Sequence, residues 1–482
     1  MKNDDEKIEL KWWEVKQGLT PYLKKKALEK KANKHAARKA AAAGASNAGS
    51  ASNKFPASEE KKSSVKEKSR SDNKSAKNKS FNNKSSDIKT SASGKSRKPL
   101  DSLFEVNKIP SDAAKLLEDF DSVISSTHPL NSKQRAQLPG IIRTLSHKLT
   151  DERGDRRLGY MNSPEFLMAY VHYFMQWNLV RLTRLFANLS PDFFNLKDGD
   201  VCLDAGSGPL TLVTALFMAR PELRKLKLTW YCMDISQGAL SLGENIFLST
   251  AAALHCEAWN IVRVKGEFGS TIKEKVSLFA SANMFNEVVQ DFEMPPDYLA
   301  KKYAEKILSY TKEESGILLV EPGFPKAARF ISLLRDAFLR RKCYMISPCT
   351  HCEECPMDGK PGGKWCNYAF STDNAPKKLR TLSEKSSLPK ERAVLSFIAC
   401  RRSQKDESLN EECDLKKLEF RIASDPIRLP KNKTGYYACS SEGLLLIESG
   451  QTLLSGDHIS IPYPKRPMHE DWKSGAKIVY LD

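Results

Sequence analysis

Residues 200–217 constrain the fold of this chain more than any other stretch. Asp200-Val201-Cys202-Leu203-Asp204-Ala205-Gly206-Ser207-Gly208-Pro209-Leu210 is a short apolar strand running into Gly-x-Gly, and Leu212, Val213, Leu216 and Phe217 then mark one face of a helix. The glycines let the backbone turn tightly and come close to a ligand. A second strand over residues 226–233 ends at Asp234. An acid at that strand end can accept hydrogen bonds from both hydroxyls of a ribose. Strands over 262–264, 276–280 and 316–323 continue the order. Strands alternating with helices predict an α/β, mostly parallel sheet with its ligand at the carboxyl strand ends. Pro209, Leu210 and Thr211 replace the third glycine of the dinucleotide fingerprint, which disfavours NAD.

Asp-x-Gly-x-Gly followed by an acidic strand end resembles the class I S-adenosylmethionine methyltransferases. That likeness makes Asp204, Gly206, Ser207, Gly208 and Asp234 the expected S-adenosylmethionine-binding residues. A Rossmann-like sheet with a degenerate site is the competing reading. Catalytic residues are not identified. The Asn/Asp-Pro-Pro-aromatic motif of base-amino methyltransferases is replaced by Ser281-Ala282-Asn283-Met284-Phe285-Asn286, and the paired cysteines of cytosine-C5 enzymes are not in place. Glu287 and Glu321 are candidate bases, with a hydrogen-bonded structural role the equal alternative.

The charge of the chain is unevenly spread. Residues 1–100 hold 26 Lys and Arg against 11 Asp and Glu, a net of +15 out of +18, so the remaining body is nearly neutral at +3. A near-neutral machine with a cationic arm suits a polyanion or an RNA-rich particle. Residues 20–44 read as a helix, capped by Thr20, with Pro21 in its first turn and Gly44 at its end, and basic residues all round it. Residues 41–100 are too poor in bulky apolar groups to offset their chain entropy and are expected to be disordered. No apolar run approaches the ~20 residues of a membrane span. The first ten residues carry four acids and no apolar h-region, so neither a secretory signal nor a transit peptide is expected.

From 101 to 195 the pattern is helical. Leu116, Leu117, Phe120 and Val123 recur at helix spacing, and a capped start at Ser163-Pro164-Glu165 leads into Phe166, Tyr170, Tyr173, Phe174, Trp177 and Val180 on one face. That period indicates core packing in preference to an RNA-stacking surface.

The chain has 11 cysteines, an odd count that suits a reduced compartment. Cys349, Cys352, Cys355 and Cys366 lie within 18 residues, and Cys439 follows in Gly435-Tyr436-Tyr437-Ala438-Cys439. Thiolates so spaced can surround a soft metal centre, zinc or iron–sulfur. Local spacing alone selects Cys349, Cys352, Cys355 and Cys366. A single compact run rather than two C-x-x-C knuckles weakens zinc, and Pro356 after Cys355 resembles the Cys-Pro ending of ferredoxin runs. The C-x(3)-C-x(2)-C spacing of radical chemistry is absent.

The Asp-Ala-Gly-Ser-Gly-Pro turn, Phe285-Asn286-Glu287, Glu321-Pro322-Gly323 and Pro348-Cys349-x-His351 together resemble the methyltransferase-like assembly factors of the mitochondrial small ribosomal subunit and their bacterial relatives, over about residues 101–482. The resemblance implies a Rossmann-like class I methyltransferase sheet with a helical N-terminal lead-in and a cysteine-rich, β-containing C-terminal subdomain. It implies a [4Fe-4S] cluster whose ligands map onto Cys349, Cys355, Cys366 and Cys439, displacing Cys352. It also implies binding to the small ribosomal subunit and its rRNA. The expected organisation is a basic arm (1–100), a helical lead-in (101–195), a Rossmann-like domain (196–340) and a cysteine cluster with a small β-subdomain (341–482).

After the cluster, strands are predicted over 391–402, 420–422, 435–439 and 444–447, and a small RNA-binding barrel is one form they can take. Arg401, Arg402, Arg421, Arg428, Lys431, Lys433, Lys465 and Arg466 interleave with Tyr436, Tyr437 and Tyr463, a mixture that suits single-stranded RNA, with a scattered solvated surface the equal alternative. Three functions remain open: an rRNA methyltransferase, a non-catalytic assembly factor with a structural or iron-sensing cluster, and a zinc protein of the same architecture. The expected state is a monomer without a membrane, in a bacterial cytoplasm or, alternatively, a mitochondrial matrix.

Overall fold

β1 (Val201–Ala205) is buried at all five positions, as a strand covered on both faces must be. β2 (Thr229–Asp234), β3 (Asn260–Lys265), β4 (Val276–Ala282) and β5 (Thr311–Pro322) join it, all parallel, in the order β3-β2-β1-β4-β5. β6 (Cys343–Ser347), β7 (Tyr368–Ser371) and β8 (Arg392–Arg402) complete the sheet. β8 lies antiparallel between β5 and β6, and β7 also pairs with it. Five parallel strands extended by the antiparallel β8 make this a Rossmann-like α/β sheet. Sheet membership crosses residue 340, because β6 and β8 come from the stretch after it.

The computed structural model describes residues 98–150, 159–288, 294–402 and 417–481. Contacts divide the chain into two units, Met1–Ser93 and Gly94–Asp482, and the described residues belong to the second. The helix expected over 20–44 and the low-complexity arm up to residue 97 lie outside the described residues.

The lead-in is helical. Leu116, Leu117, Phe120 and Val123 fall on two helices, α1 (Ser111–Glu118) and α2 (Phe120–Thr127), because the chain leaves helical geometry at Asp119 (φ −117°). α3 (Ser132–Thr150) follows. α4 (Pro164–Ala169) starts after Ser163 with Pro164 in its first turn. A wider π turn, Tyr170–Met175, carries the aromatic stripe into α5 (Gln176–Asn188). Tyr173 and Trp177 are buried; the Tyr173 hydroxyl donates to Leu388 O (3.1 Å) and Trp177 Nε1 to Ser383 Oγ (3.1 Å). Those two residues of the stripe are core, as their period predicts.

Side chains alternate across the sheet. Cys202, Cys232, Leu278 and Leu318 enter one core with residues of α6 (Thr211–Ala219) and α7 (Gln237–Ala253). Leu203, Met233, Phe279 and Ile317 enter the other with α8 (Pro296–Tyr310) and α9 (Pro325–Leu339). α10 (Lys377–Lys385) packs against the lead-in, where Leu379 joins Leu138, Ile142 and Trp177.

A second sheet contains β9 (Lys417–Ile422), β10 (Ile427–Arg428), β11 (Thr434–Ser440), β12 (Gly443–Ser449), β13 (His458–Pro462) and β14 (Lys477–Leu481). Its path, β13-β9-β11-β12-β14, has two free ends. Among the described residues it is therefore an open sheet and not the barrel considered above. Leu418, Phe420, Tyr436, Ala438 and Ile447 fill its own core. Cys439 points the other way, into the core beside the first sheet.

Candidate functional site

A cleft enclosing about 1050 Å³, part of it open to solvent, lies at the carboxyl ends of β1, β2 and β4. The glycine turn forms its floor. Gly206 (φ +71°) and Gly208 (φ +51°) adopt left-handed backbone, and the amides of Gly206 and Ser207 both donate to Met233 O (2.9 and 3.0 Å). A Cβ on Gly206 would stand 2.7 Å from Met284. Asp234 stitches the turn to β2: its Oδ2 accepts from Gly208 N (2.9 Å) and its Oδ1 from Ser236 N (2.8 Å). Ser207 Oγ donates to Asp204 Oδ2 (2.6 Å). Asp204 Oδ1 and Thr211 Oγ1 are buried without a hydrogen-bond partner, and both residues line the cleft.

The electrostatics of the cleft are one-sided. Asp204, Asp234, Glu267 and Glu287 line it, and no Lys or Arg is among the lining residues described. Burial, with Asp234 adding to it, pushes the Asp204 carboxyl up to about 7, against the Ser207 hydrogen bond. Burial also raises Asp234, opposed by the amides of Ser236 and Gly208. Two buried carboxyls with an unused oxygen favour a ligand that brings positive charge and hydroxyl donors.

Beyond β4 the chain is held by side chains rather than left free. Glu321 is 1% exposed and accepts from Phe285 N (2.8 Å), Asn286 N (3.1 Å) and Asn286 Nδ2 (2.9 Å). Its carboxyl, pushed up to about 7 by burial, is spent on that turn, which is the structural alternative weighed for it above. Asn283 (φ +60°) accepts from Arg181 Nη2 (2.7 Å). Arg181, on α5, also donates to Val394 O (3.3 Å) and Asn178 Oδ1 (2.9 Å). Glu287 lines the cleft.

The cysteine run folds back against the second sheet. Arg421 on β9 donates from Nε to Pro348 O (2.7 Å), just before Cys349. Cys366 N donates to Met357 O (2.9 Å), and Trp365 Nε1 to Gly323 O (3.1 Å). Arg335 Nε donates to Cys349 Sγ (3.2 Å), and Tyr368 Oη lies 3.6 Å from Cys366 Sγ. His351 Nε2 stands 3.1 Å from Cys439 Sγ. Burial raises the Cys355, Cys366 and Cys439 thiols. Negative charge from within the same set adds to the rise: Cys349 acts on Cys355, Cys355 and Cys349 on Cys366, and all three on Cys439. Cys352, also raised by burial, feels only Cys349 among the cysteines. Among the described residues, no group of three or more His, Cys, Asp or Glu side chains stands close enough to hold a metal ion.

The sequence profile described as Rsm22, mitochondrial small ribosomal subunit, matches residues 182–442, more than half of the chain. The chain belongs to the Rsm22 family. The matched span reaches from α5 through the first sheet to β11 of the second, so it includes the glycine turn and all five of the cysteines singled out above. A comparison with curated proteins finds no match. Three similar solved structures are a Streptococcus mutans protein assigned as a SAM-dependent methyltransferase (12% identity, 44% of this chain and 46% of that one, TM-score 0.26), a Geobacter sulfurreducens SAM-dependent methyltransferase in complex with S-adenosyl-L-homocysteine (11%, 46% and 89%, 0.26) and TrmN from Thermus thermophilus (11%, 47% and 52%, 0.27). The chain spans about half the length of the first and third of these.

Several residues that build this Rsm22-family site carry no motif. Tyr160, Met161 and Tyr170 bring the lead-in to the cleft, and Tyr170 stacks on Phe174 at 5.9 Å. Arg335 sits among the apolar residues Phe330, Ile331, Leu334 and Phe338 of α9, and a cation on an apolar face was the signal available for it. The basic and aromatic residues after the cluster divide. Arg421 is buried and spent on Asp101, Pro348 and Gly456; Arg401 is buried and donates to Phe193 O; Tyr436 is core. These three are corrections to the RNA-facing set. No helix among the described residues is long and apolar enough to cross a membrane.

Proposed function

We propose that the chain binds S-adenosylmethionine between Asp204, Gly206, Ser207, Gly208 and Asp234, carries a [4Fe-4S] cluster on Cys349, Cys355, Cys366 and Cys439, and acts on or holds the rRNA of the small ribosomal subunit as a single chain. The observation that carries the cofactor is the cleft lining: four acids, no base, and an unpartnered carboxylate oxygen on Asp204. S-adenosylmethionine brings a sulfonium, an ammonium and ribose hydroxyls to such a lining. A dinucleotide would bring a pyrophosphate and be repelled. When bound, the cofactor supplies an electrophilic methyl group. The chain's part is to bind its polar groups, with Asp234 already oriented by two backbone amides.

The donor set supports the cluster reading. Cys355, Cys366 and Cys439, each raised by burial and by the charge of Cys349, and the buried Arg335 guanidinium, whose Nη1 has no hydrogen-bond partner, suit an anionic centre. An iron–sulfur centre spreads its thiolates over several irons. The family description, which names the mitochondrial small ribosomal subunit, supports the ribosomal partner and favours a mitochondrial over a bacterial-cytoplasmic setting.

Calorimetry with S-adenosylmethionine on reconstituted protein tests the cleft. No binding at millimolar ligand rejects both cofactor use and catalysis. Binding without methylation of immature small-subunit RNA leaves a non-catalytic factor, the reading favoured by the structural use of Glu321 and Asn283. Anaerobic purification with elemental analysis tests the cluster. About one zinc and no iron per chain removes it.

A further inference from the structure

The folded body is close to neutral, yet one face of it is strongly basic. α3 carries Lys133, Arg135, Arg143 and Lys148 and no Asp or Glu. α10 carries Lys377, Lys378, Arg380 and Lys385 against Glu384 alone. Together they hold a net +7, while residues 101–482 as a whole hold +3, so the rest of the body is net acidic. The two helices meet at a groove of about 1180 Å³ lined by Arg135, Lys377, Lys378 and Lys385, with Asp121 and His172 at its α2 and π-turn side. Arg143 bridges the helices from beside it, donating to Ser386 O (3.2 Å).

The acids at this groove are few and already engaged. Asp119 and Asp121 both face Lys378, at 2.8 and 3.9 Å, and Glu118 accepts the Lys377 backbone amide (3.2 Å). Arg135, Lys377 and Lys385 are exposed, and no ion pair holds them among the described residues. Lys377 and Lys385 stand eight residues apart on one helix, about 12 Å, so one small anion cannot serve both, whereas a chain of anions can. No large apolar side chain of the groove is fully exposed: Leu138 is buried, and Leu130 and Leu382, which also line it, are half-buried, whereas the exposed ones lie elsewhere, as Trp472 and Leu454 do. A membrane-surface helix needs an apolar face to insert, and a protein interface needs an apolar centre. Two half-buried leucines ringed by cations serve either poorly.

We infer that the groove between α3 and α10 is a binding surface for the phosphate backbone of RNA, with Arg135, Lys377 and Lys385 as its phosphate contacts. The inference rests on the small-subunit reading above and assigns that partner a place on the body, lined by residues other than those of the cleft and the cysteine run.

The test is the salt dependence of binding of the full-length chain to a labelled single-stranded RNA. Each phosphate contact contributes about 0.7 to the slope of log K against log salt, so the R135Q/K377Q/K385Q variant should lower the slope by about 2. K378Q, whose ammonium is already paired, should leave it nearly unchanged, and the charge-retaining R135K/K377R/K385R variant should keep the wild-type value. An unaltered melting temperature in the glutamine variant shows that the fold is intact. A wild-type slope in that variant overturns the inference while leaving RNA binding in place. Absence of salt-sensitive RNA binding by the wild type overturns the small-subunit reading itself, and this inference with it. Loss of sedimentation with phosphatidylserine vesicles at an unchanged RNA slope assigns the groove to a membrane and overturns the inference as well.

Discussion

Arg335 on α9 aims its Nε at Cys349 Sγ, 3.2 Å away, and its Nη2 at the His351 carbonyl, 2.9 Å away, from a position only 2% exposed. Burial alone would lower the affinity of this guanidinium for its proton, but the charge of Cys349, Cys355 and Cys439 outweighs it and the net shift is upward. The guanidinium is thus placed to stabilise the thiolates that these cysteines become when they ligate a metal. A hydrogen bond to a charged partner contributes ~1.5–3 kcal/mol, and donors to cluster sulfurs raise the reduction potential. Arg335→Gln should therefore lower the iron content of anaerobically purified protein and shift the potential of the remaining cluster downward. Iron analysis and redox titration at visible wavelengths check both. An unchanged potential would show that Arg335 only packs.

Cys439 and Cys352 should behave oppositely. Cys439 is 6% exposed, lies on β11, and shares its electrostatic environment with Cys349, Cys355 and Cys366, whereas Cys352 feels Cys349 alone among them. Cys439→Ser should abolish the broad visible absorption of an iron–sulfur centre and destabilise the second sheet. The reason is that the proposed cluster would join β11 to the distant run, and metal binding is linked to folding. Cys352→Ser should retain the absorption and the melting temperature. The reverse pattern would return Cys352 to the ligand set.

What could be read from the chain and what could not follows the range of the forces involved. The strand and turn from Val201 to Gly208 are local: an unbroken apolar run marks a doubly covered strand, and glycine marks the left-handed backbone that Gly206 and Gly208 adopt. Asp234 was legible for the same reason, as an acid at a strand end. β6 and β7 gave no such pattern. β6 is half-buried at its three central positions and β7 has four residues, so neither alternation nor length distinguishes them. Arg421 read as an RNA-facing cation because nothing in its neighbourhood shows that Asp101, 320 residues earlier, will pair with it at 2.8 Å. The link of Cys439 to the run came from family resemblance alone. Spacing favoured Cys352, since sequence distance says nothing about a strand returning from another sheet.

The Asp204 carboxyl makes the cleft sensitive to pH. Its folded value, about 7, lies above the ~3.9 of an unfolded chain, so between these limits the folded state binds more protons than the unfolded one. The group's contribution to stability is fully present below pH ~4 and is lost as pH rises through about 7. Asp204→Asn should raise the melting temperature of the cofactor-free protein at pH 8 and have little effect at pH 5. A cationic ligand needs the ionised carboxylate, so wild-type affinity for S-adenosylmethionine should tighten from pH 6 to pH 8, and the variant should be weaker and flat. Scanning calorimetry and titration calorimetry at the two pH values check this. Equal pH dependence in both proteins would move the titration to another group, Glu321 being the next candidate by burial.

Gly243 tests how closely α7 supports the glycine turn. Glycine in a helix interior costs ~1 kcal/mol relative to alanine, and Gly243 is buried in the middle of α7. Its reason is contact: a Cβ there would stand 2.4 Å from the Pro209 carbonyl carbon and 2.6 Å from Pro209 Cα. Both are backbone atoms of the turn, so neither can swing away as a flexible side chain would. Gly243→Ala should push the helix and the 206–210 segment apart, destabilise the protein by ~1–3 kcal/mol as overpacking does, and weaken S-adenosylmethionine binding. Gly140 in α3 is the matched control, since a Cβ there meets nothing within 4 Å, and Gly140→Ala should gain up to ~1 kcal/mol from helix propensity. Denaturant melts of the two variants compare the effects directly. If both alanines stabilise equally and binding is unaffected, the cleft floor tolerates displacement by a methyl group and α7 is not what holds it.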